Sequence, residues 1–142
     1  MNPQPIIVEQ IFEQPLEIVW KAITEHSQMI QWFFNNIPDF KAKVGFKTQF
    51  LIENEGCQFT HLWEIIEVIP MKKIIYDWRY KEYDGAGLVS FEMIAVDNGT
   101  KLRLTNTGLE SFTADIPEFK RESCENGWKY FINRLQSYLN SQ

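Results

Sequence analysis

His61 is the side chain in this sequence best placed to do chemistry. It stands between Phe59 and Trp63 in a stretch, residues 58–69, whose alternation puts Phe59, His61, Trp63 and Ile65 on one face and Leu62, Glu64, Ile66 and Val68 on the other. An imidazole facing an apolar interior can donate a hydrogen bond to a ligand or, with a shifted pKa, transfer a proton. The competing reading is a structural histidine bonded to a neighbouring strand or set at a cavity mouth. Two polar residues, Asn106 and Thr48, either orient a polar atom of a ligand or cap local backbone. Asp77 and Arg79 alternate against Trp78 and read as solvated, and Glu53 and Glu55 flank a turn.

Other chemistry lacks its residues. His26 and His61 fall on different elements, and no His-x-His, Cys-x-x-Cys or Glu-x-x-His spacing occurs, so no metal site is expected. Gly85-Ala86-Gly87 runs into a strand, whereas a phosphate loop needs glycines ahead of a helix N-terminus, and no cofactor is expected. Ser90 and Ser111 have neither a nucleophile elbow nor a nearby histidine. The 14 basic and 19 acidic side chains leave a net charge of −5, without the concentrated positive face that nucleic acid requires. No apolar stretch approaches the ~20 residues that span a bilayer, and the N-terminus lacks the basic start and apolar core of a signal. A cytoplasmic protein is the expectation, with Cys57 and Cys124 as free, half-buried thiols.

What the chain has in excess is aromatic: eleven Phe, five Trp and five Tyr among 142 residues. Phe50, Phe59, Trp63, Tyr76, Trp78, Phe91, Met93, Leu104, Trp128 and Phe131, with His61 and Asn106, are the candidate walls of a pocket for a flat or lipid-like molecule. Such residues also fill the gap beneath a helix packed on a sheet, so their number on inward faces carries the pocket reading more than any one of them.

The elements that position them follow from periodicity. Residues 6–12 read as a strand that halts at Gln14-Pro15, where a helix begins with Leu16, Val19, Trp20 and Ile23 on one face. Ser27 is expected to cap a second short helix that buries Ile30, Phe33 and Phe34. Phe46, Thr48, Phe50 and Ile52 then share a strand face, and Asn54-Glu55-Gly56 turns the chain into the His61 strand, which Pro70 stops. Ile74, Tyr76, Trp78 and Tyr80 alternate against Ile75, Asp77 and Arg79, with a turn expected over residues 83–87. Val89, Phe91, Met93 and Ala95 follow, and Asp97-Asn98-Gly99 is a hairpin signal leading to Leu102, Leu104 and Asn106. Asp115-Ile116-Pro117-Glu118 has the form of a helix start, for a helix reaching Leu139 with Cys124, Trp128, Phe131, Ile132, Leu135 and Leu139 as its apolar stripe. Gly127 within it costs about 1 kcal/mol relative to alanine, which suggests that backbone, sheet or ligand approaches there. One α+β domain spanning residues 1–142 is expected, its helices on one face of an antiparallel sheet.

This arrangement resembles the helix-grip (SRPBCC) superfamily that includes START-like lipid-transfer domains, birch-pollen-allergen-like proteins and polyketide cyclases. Within it the chain is similar to the activator of heat-shock-protein-90 ATPase homologue-like family. The residues that carry the likeness are the run from Pro15 to Thr24, Trp32-Phe33, Gly45, Val68-Ile69-Pro70 ahead of Tyr76-Asp77-Trp78, Gly99-Thr100-Lys101-Leu102 with Thr107-Gly108-Leu109, and Gly127-Trp128 with Leu135 and Leu139. The resemblance implies a START-like fold, a curved antiparallel sheet of about six or seven strands around a long C-terminal helix, with two short helices after the first strand. The chaperone activator that gives the family its name has an additional N-terminal domain that contributes much of its chaperone binding, and this length does not supply one. ATPase activation is therefore not carried over.

Three functional readings follow. The first is a non-enzymatic domain that encloses a small hydrophobic or aromatic molecule between sheet and helix. The second is a cyclase, aromatase or hydrolase using the same cavity with His61 as acid or base. The third is a stress-response or chaperone-associated interaction module. Nucleic acid and integral membrane contact are not expected, and a homodimer or a chaperone partner is left open.

Overall fold

The period-two segments pair into one six-stranded antiparallel sheet in the order β1-β6-β5-β4-β3-β2 in the computed structural model, which describes residues 5–112 and 116–142. Its strands are β1 (Ile6–Phe12), β2 (Lys47–Asn54), β3 (Cys57–Ile69), β4 (Lys73–Tyr80), β5 (Tyr83–Val96) and β6 (Gly99–Thr107). Strands β2 to β6 are joined as successive hairpins, whereas β1 and β2, consecutive in sequence, lie at opposite edges. The intervening chain must therefore cross the sheet, and it does so with the short helices α1 (Leu16–Thr24) and α2 (His26–Trp32). The long helix α3 (Arg121–Asn140) packs on the same side.

Burial follows the alternation. On β3, Phe59, His61, Trp63 and Ile65 are buried; on β4, Ile74, Tyr76 and Trp78; on β6, Leu102, Leu104 and Asn106. Trp128, Ile132, Leu135 and Leu139 of α3 close over them, joined by Val19, Ala22 and Ile23 of α1. The Trp32 indole N–H donates to the Ala22 carbonyl at 2.8 Å and fixes α2 against α1.

Four local expectations are corrected. A register shift between Ile65 and Glu67 turns Val68 toward the core, opposite Ile74, where strict alternation would have kept it outside. The β4–β5 turn lies at residues 81–82, and residues 83–87 belong to the strand. Gly85 serves that strand through close approach, since a Cβ there would come within 2.6 Å of the Phe112 ring at a φ of +123°. Ser27 caps nothing: Glu25 ends α1 and begins α2, its N–H donating to Lys21 and its carbonyl accepting from Met29. The C-terminal helix starts at Arg121, because Lys120 is extended (φ −69°, ψ 146°) and separates it from a 3-10 turn at Pro117–Phe119. The expected Asp115 cap lies outside the described residues. Among those described, no helix is long and apolar enough to cross a membrane.

Candidate functional site

Where α3 leaves the sheet, the side chains fail to meet, and a cavity of about 170 Å3 remains between β3, β4, β6, the start of α3 and the segment that precedes it. Its inner wall is Trp78, His61 and Asn106 from the sheet and Trp128 and Phe131 from the helix. Phe34 closes one side, and Leu109, Phe112 and Phe119 close another. The exposed Ser123 and half-buried Glu118 mark its mouth. A wider depression bordered by Glu13, Leu16, Met71 and Asn98 has no buried residue in its wall and is open surface.

Two clusters of rings hold the walls in place. Phe33, fully inside, stacks on Trp32 at 4.8 Å and reaches Trp63 at 5.5 Å, Trp128 at 5.9 Å and Phe131 at 4.8 Å between centroids. On the far side Phe59, Phe112 and Phe119 form a separate buried group with Tyr80 and Tyr83 against it. The cavity lies between these two packed regions.

Its polar atoms are few, and most are committed. Asn106 spends its amide on the Leu88 and Thr107 carbonyls, at 3.3 and 3.4 Å, and its oxygen accepts the Trp128 indole N–H at 3.1 Å. This last bond anchors the helix to β6 across the cavity floor. Trp78 donates its indole N–H to the Tyr80 hydroxyl at 3.0 Å, leaving that hydroxyl's own proton free for another acceptor. Burial pushes the Tyr80 pKa upward, so it remains a phenol. Cys124 donates its thiol to the Glu118 carbonyl at 3.4 Å, and burial pushes its pKa up to about 11, which keeps it protonated and unreactive.

His61 is 5% exposed and sits face to face with Phe50, ring centroids 4.9 Å apart. Its Nδ1 lies 3.0 Å from the Phe59 carbonyl. A carbonyl only accepts, so Nδ1 carries the proton and Nε2 the lone pair. Burial lowers its pKa to about 4, against smaller opposing effects of the Phe59 bond and the Glu82 charge. At neutral pH it is thus an uncharged acceptor, with no Asn106 or Thr48 hydrogen bond to activate it.

Of the residues expected to line a pocket, the structure gathers His61, Trp78, Asn106, Trp128 and Phe131 around this cavity. Phe50, Trp63, Tyr76, Phe91, Met93 and Leu104 are buried in the main core outside its wall, and Phe59 belongs to the second ring cluster. Thr48 also lies outside the lining. Sequence reasoning missed Phe112 and Phe119, whose connection between β6 and α3 has no period to read, whereas Tyr80, which alternation sets among the inward aromatics, joins the wall. Gly127 borders the cavity between Cys124 and Phe131 on one helix face; a Cβ there would meet nothing within 4 Å, so neither sheet nor backbone crowds it. Among the described residues no group of His, Cys, Asp and Glu could hold a metal ion.

The family model described as Activator of Hsp90 ATPase homolog 1-like protein matches residues 13–140. Among solved structures, the chain is similar to protein MLL2253 from Mesorhizobium loti at 25% identity, with a TM-score of 0.77 and 98% of each chain covered. The Aha1 dimer from Colwellia psychrerythraea shares the fold at 18% identity and a TM-score of 0.74, over 96% of each chain. So does CalU16 from Micromonospora echinospora, at 19% identity and a TM-score of 0.70, over 95% of this chain and 75% of that one. No curated protein matches the sequence.

Proposed function

This chain belongs to the Activator of Hsp90 ATPase homolog 1-like family, and we propose that it acts as a binding domain for a small aromatic or hydrophobic molecule held between its sheet and α3. The observation that carries this reading is the cavity of about 170 Å3 walled by Trp78, Trp128, Phe34 and Phe131. An apolar cavity of ~150 Å3 is enough to bind benzene. One ring therefore fits inside, and a larger guest has to extend through the mouth beside Ser123 and Glu118.

The same geometry argues against acid–base catalysis. A general base works best with a pKa near the operating pH, and His61, lowered to about 4, takes up protons poorly there. No carboxylate orients it, and Asn106 is already occupied by Trp128. The histidine is better suited to accept one hydrogen bond from a guest.

A thermal-shift and native mass spectrometry series with single-ring aromatics tests the proposal. The expected result is a rise in melting temperature and a one-to-one complex for the wild type, both lost in Gly127→Leu, whose side chain would project into the cavity between Cys124 and Phe131. Ligand responses that survive Gly127→Leu unchanged would place binding elsewhere and overturn the reading.

A further inference from the structure

A second hollow, of about 280 Å3, opens beside the first between the β2–β3 hairpin and the segment ahead of α3. The two share Phe34, His61, Tyr80, Glu118 and Phe119, so they are adjoining chambers of one site. Their chemistry differs. The inner chamber is walled by tryptophan and phenylalanine, whereas the outer one adds Ile52, Asn54 and the ring of Phe59, with Glu118 shared between them.

The electrostatics of the pair are one-sided. No lysine or arginine borders either chamber. Glu118 accepts one bond from Asn54 at 2.8 Å through Oε2, and its other oxygen has no partner among the described residues. Lys120 and Arg121 line neither chamber, and Arg121 donates to the Pro5 carbonyl at 2.9 Å. Within the wall, His61, 5% exposed, carries an Nε2 acceptor without a partner among the described residues. The site offers its guest acceptors and the negative charge of Glu118, against the uncharged hydroxyl donors of Tyr80 and Ser123.

From this arrangement the geometry points to a single-ring aromatic amine as the ligand, its ring in the inner chamber and its ammonium in the outer one, beside Glu118. The assignment rests on the binding role proposed above and narrows it. Phe59 and Phe119, 5.6 Å apart and nearly perpendicular, supply ring faces that attract a cation alongside the carboxylate. A ligand ending in a carboxylate, such as a fatty acid, meets the like charge of Glu118 and no lysine or arginine on the lining, so the site disfavours it.

Titration calorimetry at low salt with phenethylamine, phenethyl alcohol and hydrocinnamate tests the assignment on one shared ring. The amine is expected to bind about tenfold more tightly than the alcohol, from the Glu118 carboxylate and the ring faces together, and hydrocinnamate most weakly. In Glu118→Gln the ratio of amine to alcohol affinity should fall about threefold, to what the ring faces alone supply, with folding checked by its melting temperature. Hydrocinnamate binding as tightly as the amine, or an amine preference undiminished in Glu118→Gln, overturns the assignment. Alcohol binding without an amine preference sinks the amine alone and leaves the cavity reading standing; failure of all three ligands sinks both.

Discussion

His61 and Tyr76 show how the same burial has different consequences for different groups. The imidazole satisfies its donor on Phe59 and stays neutral, so between its folded pKa of about 4 and the ordinary 6.5 the unfolded chain binds more protons than the folded one. Stability from this residue is therefore complete above pH 6.5 and is lost as the pH falls toward 4. At pH 4.5 the loss amounts to roughly 2 kcal/mol relative to pH 7. Urea unfolding of His61→Gln should show a pH dependence weaker by that amount, and identical slopes for the two proteins would contradict the assignment. Tyr76 is fully buried against Trp63, ring centroids 5.1 Å apart, and its hydroxyl has no partner among the described residues. A buried hydroxyl without a hydrogen bond costs more than it returns. Tyr76→Phe should raise the unfolding free energy by about 1 kcal/mol, and a fall of similar size would mean that the hydroxyl is satisfied in solution.

At the scale of elements, α3 carries a weakness that its position explains. Gly127 is half-buried, borders the cavity and has room for a methyl group, so its cost to the helix is not imposed by packing. Gly127→Ala should stabilise the protein by about 1 kcal/mol in chemical denaturation, and destabilisation would show that the helix is tighter against its neighbours than described. The sheet faces were legible in the sequence because period two leaves no choice of side once burial is one-sided. That logic placed His61, Trp78 and Asn106 inside, as the helical stripe did Trp128, but neither says how far along the strands a helix covers them. Phe33 decides this by lying against Trp63 and Phe131, which leaves Trp63 and Tyr76 in solid core and Trp78 on the cavity wall. The rings of Phe112 and Phe119 come from a connection whose course depends on tertiary contacts, and no local pattern announces it. The bulge beyond Ile65 was equally silent, because no glycine or proline marks it.

Across the whole molecule, a sheet that pairs its first strand with its last leaves one concave side to be filled by α1, α2 and α3. The first two helices and the C-terminal half of α3 fill it with interlocked side chains, and the start of α3 does not. A binding function placed at that end draws on a rigid scaffold while leaving the core intact. Nuclear Overhauser contacts between phenethyl alcohol and the protein test this most directly, because they report where a guest ring sits in solution. The account predicts contacts from the ligand ring to the indole protons of Trp78 and Trp128 and to Phe131. Contacts confined to surface residues such as Met71 and Leu16, with none to either indole, would contradict it.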